Sequence, residues 1–215
     1  MKSAFIMITI NPQKNPKALV VWLHGLGADE SDFIPFIKSL ELDNIEFILP
    51  NAPLRPITMN QGLLMRGWYD IKGTHKSLNF SYQDESGLIK SKDLIEAIIK
   101  KRCALDSSNF KVFIGGFSQG AALSLFTGLS SNLEISGIIA LSGYLPKNIK
   151  YSSSKHPPII AIHGEGDDII AVDIAKNSYL EIQKSKDFLF KSYNIAHEVI
   201  YEEIIDVKNF LIKNI

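Results

Sequence analysis

The chain has 215 residues, of which 46% are hydrophobic and 21% are charged, a composition typical of one globular domain and unlike that of a disordered or fibrous protein. Its 23 basic and 23 acidic side chains cancel, so we expect no nucleic-acid partner, because such proteins carry an excess of positive charge. The single cysteine, Cys103, excludes an internal disulfide framework and favours a cytoplasmic protein.

The first residues contain a short apolar stretch at 3–10. We interpret it as an edge strand and not as a signal peptide, because no small-residue cleavage site follows it. No apolar run in the chain approaches the roughly 18 residues that a membrane-spanning helix needs, so we expect no membrane span.

Strands and helices then alternate along the sequence. Lys17 to Leu23 is a nearly continuous apolar run, the pattern of a strand buried on both faces of a parallel sheet. Further strands are predicted at 45–49, 110–114, 135–141, 159–162 and 188–193, and helices at 31–40, 86–105, 119–129, 172–184 and 197–213. The alternation predicts one α/β domain over residues 1–215, with a mostly parallel central sheet and helices on both faces.

The segment from Asn51 to about Asp84 interrupts this alternation with prolines, glycines and no sustained periodicity. Long irregular segments in compact domains are usually functional lids or linkers, and this one is too apolar for a linker. We therefore predict a flap packed beside a site at about 51–84. The alternative is an extra hairpin that covers a sheet edge.

The sequence Gly116-Phe117-Ser118-Gln119-Gly120 stands between a predicted strand and a predicted helix. In that context G-x-S-x-G predicts a sharp turn that exposes a nucleophilic serine at a helix N-terminus, where developing negative charge is favoured. The alternative for Ser118 is a purely structural turn.

A serine nucleophile needs a histidine base, and the base must in turn be oriented by an acid. His197 follows the last predicted strand and is the predicted base, whereas His163 precedes the acidic candidates and His156 lies at the start of a strand. The acid is expected in the turn after the strand at 159–162, where spacing alone does not separate Asp167 from Asp168.

A first glycine-rich turn, LHGLGAD at 23–29, also follows a predicted strand. As a dinucleotide-binding fingerprint it is incomplete, since Glu30 stands where the third glycine should be. It fits an oxyanion loop better, with the backbone amides of Leu26 and Gln119 as the two donors.

Metal chemistry has little support in the sequence. The segment HEVIY at 197–201 is similar to the zinc-binding H-E-x-x-H pattern, but Tyr201 replaces the second ligand. Cys103 is interpreted as a packing residue of a helix. We expect neither a metal ion nor an organic cofactor.

Taken together, these motifs resemble the phospholipase/carboxylesterase family, which includes bacterial carboxylesterases and acyl-protein thioesterases. The resemblance covers essentially the whole chain, from about 17 to 213, and its motifs come in one order. They are LHGLGAD (23–29), PNAPLRPIT (50–58), the pattern N-x-G-x-x-M-x-x-WYDI (60–71), GGFSQGA (115–121), HGEGDD (163–168) and His197 followed by Glu202-Glu203.

The resemblance implies an α/β-hydrolase fold without a large cap domain, and a role for each matching residue. Ser118 matches the nucleophile, His197 the base, and Asp167 the acid in preference to Asp168. The remaining matches are Leu26 and Gln119 as oxyanion donors and Met65 and Trp68 on the loop that borders the acyl pocket. Three positions depart from the pattern, and they are Ala121, Asp168 and the run Asn194-Ile195-Ala196, where relatives have glycines before the histidine.

The resemblance implies hydrolysis of carboxylic esters or thioesters by a Ser–His–Asp triad. We expect short- to medium-chain esters, small-molecule or lipid-like, that are cleaved through an acyl-enzyme. The alternatives are an acyl-protein thioesterase or lysophospholipase that acts on long acyl chains, and, from other classes, a non-catalytic binding module or a serine peptidase. The apolar flap is also compatible with a homodimer.

Overall fold

The computed structural model describes residues 6–72, 84–105, 110–147 and 156–215. In these residues the strands are β1 (Met7–Ile10), β2 (Ala18–Leu23), β3 (Ile45–Pro50), β4 (Leu54–Ile57), β5 (Leu63–Arg66), β6 (Lys111–Phe117), β7 (Gly137–Leu141), β8 (Ile159–Gly164) and β9 (Phe188–Tyr193). The helices are α1 (Ile34–Ser39), α2 (Glu85–Cys103), α3 (Gln119–Ser130), α4 (Val172–Ser178) and α5 (Tyr201–Asn214).

Seven strands form the central sheet in the order β1-β3-β2-β6-β7-β8-β9. All neighbours in it are parallel except β1, which pairs antiparallel with β3 at the edge. In the centre, Leu23 at the end of β2 lies opposite Gly116 of β6. The predictions of a mostly parallel sheet and of an N-terminal edge strand are therefore confirmed.

Helices cover both faces of the sheet. Every residue of β2 is therefore buried, and its side chains point alternately to one side and the other. Leu19 and Val21 pack in a cluster with residues of α2 and α3. Val20 and Trp22 pack in a second cluster with residues of α1 and α5. The burial on both faces explains why β2 reads as a continuous apolar run.

Several helix ends differ from the sequence prediction. The last helix begins at Tyr201 and not at His197, because the Glu203 side chain accepts a hydrogen bond from the Ile200 amide at 3.0 Å and so caps the helix there. Helix α1 begins at Ile34, with a proline in its first turn. The predicted helix at 172–184 is divided into α4 and a short 3₁₀ turn at 182–184.

The segment that interrupts the alternation contains a two-stranded antiparallel hairpin of β4 and β5. The hairpin is not part of the central sheet. It is followed by a stretch in which Trp68 and Tyr69 are buried. The remainder of the predicted flap, residues 73–83, lies outside the described residues.

No helix in the described part of the chain is both long and apolar enough to cross a bilayer.

Candidate active site

The site lies at the carboxyl ends of the two central strands. β2 and β6 are parallel neighbours, yet the chain leaves β2 toward α1 on one face and leaves β6 toward α3 on the other. Such a divergence opens a crevice between the two loops, which is where ligands of open α/β sheets bind.

Ser118 occupies the sharp turn between β6 and α3, with φ 54° and ψ −116°. This region is unfavourable for a residue with a side chain. The turn is also so tight that only glycine fits at the positions two residues before and two residues after Ser118. A Cβ on Gly116 would lie 2.6 Å from the Leu23 carbonyl oxygen, and a Cβ on Gly120 would overlap that same oxygen. The two glycines of the G-x-S-x-G sequence are therefore needed because β2 passes close to the turn.

Two backbone amides next to Ser118 are unoccupied. Within the described residues, neither the Leu26 amide nor the Gln119 amide donates a hydrogen bond to any acceptor. The loop that carries Leu26 is held in place, since the following amide, of Gly27, donates to the Arg66 carbonyl at 2.8 Å. Both amides are therefore available to a negatively charged oxygen.

His197 is hydrogen-bonded to Asp167, with Nδ1 lying 2.7 Å from the carboxylate Oδ2. Asp167 is buried, whereas Asp168 is exposed. Since Nδ1 donates to a carboxylate, the other ring nitrogen of neutral His197 is a free acceptor. The His197 ring also packs against the Phe117 ring at a centroid distance of 4.8 Å, which orients it next to the turn that carries Ser118.

The Asp167 carboxylate is surrounded by donors. Its Oδ1 accepts from the amides of Ile169 and Ile170 at 2.9 and 2.8 Å, and its Oδ2 lies 3.2 Å from His163 Nε2 as well as near His197. Burial alone would raise the pKa of this carboxyl, but the hydrogen bonds from His163, His197 and Ile170 outweigh it and hold the pKa well below its ordinary value. Asp167 is thus a permanent anion beside His197.

The contact between His163 and Asp167 was not predicted from the sequence. The sequence indicates His163 only as a candidate base, and its position before the acidic residues argues against that role. A usable signal was its spacing, because His163 stands four residues before Asp167 in a tight turn at the end of β8. Residues at both ends of such a turn often face each other.

A cavity of about 500 Å³ opens over Ser118. Of the predicted site residues, Ser118, His197, Leu26, Gln119 and Met65 all line it. Most of its other walls are apolar, and they comprise Gly25, Ala28, Asp32, Phe33, Met59, Asn60, Ile71, Phe117, Tyr144, Ile169 and Ile170. Met59, Asn60, Met65 and Ile71 come from the predicted flap, so the segment borders the cavity and contains a hairpin at the same time.

Trp68 does not agree with its predicted place on the acyl pocket. Its side chain is fully buried and it is not among the lining residues. The indole Nε1 instead donates to the His24 carbonyl at 2.9 Å, and the ring packs in the core with Leu88 and Ile95 of α2. Trp68 therefore holds the loop that carries the Leu26 amide from the core side and not from the cavity.

His24 stabilises the same loop through its ring. Its Nε2 accepts from the Ala52 amide at 3.0 Å, so the proton is on Nδ1, which donates to the Gly25 carbonyl at 2.7 Å. Burial lowers the pKa of His24 below 6.5, against the opposing influence of that carbonyl. A neutral His24 thus fixes the backbone just before Leu26.

The three residues before His197 are bulkier than the glycines that the family pattern has there. The space for them is provided by glycines of the neighbouring turn after β8. A Cβ on Gly164 would lie 2.5 Å from the Ile195 carbonyl oxygen, and the Gly166 amide donates to that oxygen at 3.0 Å. The glycines of the turn after β8 therefore accommodate the bulkier loop, and His197 still reaches Asp167.

The chain is similar to known proteins over nearly its whole length. Residues 5–215 match the family profile described as Phospholipase/Carboxylesterase. The chain is 34% identical to acyl-protein thioesterase 1 of Aspergillus fumigatus, over 93% of this chain and 89% of the relative. It is 35% identical to acyl-protein thioesterase 1 of Yarrowia lipolytica, over 92% of each chain. The crystal structure of Zea mays acyl-protein thioesterase 2 superposes with a TM-score of 0.83 at 28% identity, covering 98% of this chain and 99% of that one.

Proposed function

The chain belongs to the phospholipase/carboxylesterase family of α/β-hydrolases, and from this premise we propose that it hydrolyses carboxylic esters through an acyl-enzyme on Ser118. The observation that carries the proposal is that Ser118 and His197 line one cavity while His197 Nδ1 lies 2.7 Å from Asp167. A serine, an imidazole and a buried carboxylate in this relation are the components of a hydrolytic triad.

In the proposed reaction, the free ring nitrogen of His197 takes the proton of the Ser118 hydroxyl as its oxygen bonds to the ester carbonyl carbon. The carbonyl oxygen becomes an anion that the Leu26 and Gln119 amides hold, each such donor being worth about 3–4 kcal/mol in the transition state. Asp167 stabilises the imidazolium. The carbon–oxygen bond to the alcohol then breaks, and His197 gives the alcohol its proton.

Deacylation repeats these steps with water as the nucleophile. His197 takes a proton from water, whose oxygen attacks the acyl carbon, and then returns a proton to Ser118 as the acid leaves. The net reaction consumes one ester and one water and produces one acid and one alcohol. The chain's own residues supply every proton transfer in it.

The acyl group is proposed to occupy the apolar cavity. Its walls support an aliphatic chain, because side chains such as Met59 and Met65 offer flexible apolar contacts, and a volume of about 500 Å³ is typical of small-molecule sites. We propose short- to medium-chain esters as substrates. A cytoplasmic location, supported by the single cysteine, is part of the same proposal.

Thioester hydrolysis on acylated proteins is the second candidate function, and the similarity to acyl-protein thioesterases favours it. The hairpin supports it too, since its side chains Leu54, Leu63 and Leu64 are each more than half exposed. A lipid-modified chain, or a second copy of this chain, would cover them.

The test is hydrolysis of p-nitrophenyl esters with acyl chains from two carbons upward, beside matched acyl-thiocholine thioesters, with Ser118→Ala as the blank. We expect turnover that disappears in the blank and a length optimum that reports the depth of the cavity. A thioester rate well above the ester rate at long chain lengths would favour the second candidate. No turnover above the blank on any substrate would leave a non-catalytic binding role.

A further inference from the structure

Asp167 is contacted by a second histidine that the triad does not use. His163 is completely buried, and its Nε2 lies 2.7 Å from the Ile170 carbonyl oxygen and 3.2 Å from Asp167 Oδ2. Both neighbours are acceptors, so Nε2 must carry a proton. If His163 is neutral, its Nδ1 is then a bare acceptor inside the protein.

Two buried polar atoms near this point have no hydrogen-bond partner among the described residues, and these are Nδ1 of His163 and Oε1 of Glu203. Glu203 is also completely buried. It extends inward from the first turn of α5, where its other oxygen accepts from the Ile200 amide, and it interacts electrostatically with His163. A bare ring nitrogen and a carboxyl group are complementary when the carboxyl carries the proton.

The environment of Glu203 favours that protonated form. Burial is the largest influence and raises the pKa of Glu203 to about 7, whereas the Ile200 amide and a positive charge on His163 act in the opposite direction. The other titratable groups near it are Glu198 in the preceding loop, Asp206 on α5 and Tyr193 on β9. Glu198 and Asp206 also disfavour a negative charge on Glu203.

We propose that His163 and Glu203 are positioning residues for the Asp167–His197 pair: protonated Glu203 keeps His163 neutral, and neutral His163 holds the Asp167 carboxylate through its Nε2 proton. The proposal rests on the proposed function, because it extends the triad inward to α5. Within the described residues, no three His, Cys, Asp or Glu side chains are grouped as a metal ion would require.

The neutrality of His163 matters for the charge that develops on His197. A second proton would place a cation 3.2 Å from Asp167 Oδ2, the same oxygen that faces His197. The carboxylate would then be neutralised by His163 and would stabilise the imidazolium of His197 less. A neutral donor fixes the orientation of the carboxylate and weakens its interaction with the base far less than a cation would.

The first test does not depend on activity. In protein labelled with ¹⁵N-histidine, with the His163 signals assigned by comparison with His163→Gln, we expect a protonated Nε2 and a bare Nδ1 between about pH 5.5 and 7. Above that range the Nδ1 signal should change as Glu203 loses its proton, and this change should be absent in Glu203→Gln. A protonated Nδ1 below pH 7, or identical titrations in both proteins, would overturn the proposal even if ester hydrolysis is established.

The second test separates positioning from mere structure. His163→Leu removes the donor to Asp167, and His163→Gln replaces it with an amide N–H. We expect kcat to fall about tenfold in the leucine variant, the rate equivalent of one hydrogen bond to a charged group, with KM within about twofold. The acidic limb of the pH profile of kcat/KM should move to higher pH, since the carboxylate then stabilises the imidazolium more strongly.

The glutamine variant should recover most of the rate and the original pH profile. Equal losses in both variants, or a leucine variant with an unmoved acidic limb, would contradict positioning. If the leucine variant does not fold, the glutamine variant and the histidine signals still decide the question. If the wild-type protein hydrolyses no ester, the proposed function fails, whereas the protonation state of His163 remains measurable.

Discussion

The side-chain oxygen of Gln119 lies 2.9 Å from the backbone nitrogen of Trp68 and ties the first turn of α3 to the segment after the hairpin. Its side-chain nitrogen donates to the next carbonyl, of Tyr69, at 2.7 Å. Gln119 thus has two tasks, because its own amide is one of the two proposed oxyanion donors. Gln119 thus fixes the segment after the hairpin with its side chain and provides a proposed oxyanion donor with its backbone.

Gln119→Leu is expected to destabilise the protein. The substitution leaves a buried amide and a buried carbonyl without partners, each of which costs about 1–3 kcal/mol, so the free energy of unfolding in urea should fall by roughly 2–4 kcal/mol. Gln183→Leu at an exposed position is the matched control and should change it little. Equal stabilities of the two variants would show that Gln119 does not hold this segment.

The assignment of the acid is tested by Asp167→Asn beside Asp168→Asn. The first variant removes the charge that faces His197, and kcat should fall by about a thousandfold or more. The second alters an exposed side chain and should leave kcat within about twofold. Steady-state kinetics on the preferred ester decides the question, and the reverse ranking would transfer the role to Asp168.

Gly27 adopts φ +79°, and a Cβ there would lie 2.9 Å from Met65 Cε. The Met65 methyl group can move aside, but a positive φ strains any residue other than glycine. Gly27→Ala should therefore shift the loop that carries the Leu26 amide and lower kcat by about a hundredfold, the typical cost of losing one oxyanion donor. Gly62→Ala is the matched control, since Gly62 has φ +80° with nothing within 4 Å of an added Cβ. It should cost roughly 1 kcal/mol of stability and leave kcat unchanged. A similar loss of kcat in both would argue against the oxyanion loop.

Met65→Ala tests whether the flap contacts the acyl chain. Loss of the side chain from the cavity wall should lower kcat/KM for an octanoyl ester by about tenfold, the equivalent of about 1.5 kcal/mol of apolar contact, and affect an acetyl ester little. Leu180→Ala removes an exposed side chain that does not line the cavity and serves as the control. An equal effect on both esters would place the acyl chain elsewhere in the cavity.

The free energy of unfolding is expected to depend on pH through Glu203. Its pKa is about 7 in the folded protein and 4.5 as the ordinary value, so the folded state holds the proton more tightly than the unfolded state. This stabilising contribution is complete below about pH 4.5 and is lost as pH rises through 7, up to a limit of about 3 kcal/mol. As the pH rises from 5 to 8, the free energy of unfolding of Glu203→Gln should therefore increase relative to that of the wild type. A constant difference across that range would contradict the shift.

The parts of the fold with a local cause could be predicted from the sequence. The run at 17–23 is apolar because β2 is buried on both faces, and the G-x-S-x-G spacing is dictated by the approach of Leu23 to the turn. The order of Ser118 and His197 along the chain indicated the strand ends at which they lie. Each of these features depends on residues close together in sequence or on the regular order of an α/β sheet.

The remaining features depend on contacts between distant segments. An apolar aromatic in an irregular loop has the same appearance whether it faces a cavity or the core, and Trp68 faces the core because α2 packs over it. Nothing in the sequence of the last helix marks its start, since the acid that caps it, Glu203, stands inside an otherwise continuous helical pattern. The partnership of His163 with Asp167 likewise required the path of the turn after β8.

His197 follows β9, the last strand of the sheet, which among the described strands pairs only with β8 and is partly exposed along its length. Edge elements with few buried contacts open locally at a smaller free-energy cost than the whole domain. On heating, His197 should therefore separate from Ser118, its proposed nucleophile, while β2 and β6, in the centre of the sheet, are still protected from hydrogen exchange. The enzyme would thus lose its activity through local opening of β9 before its core unfolds. The stability of this one strand would then limit the temperature range in which the enzyme is active.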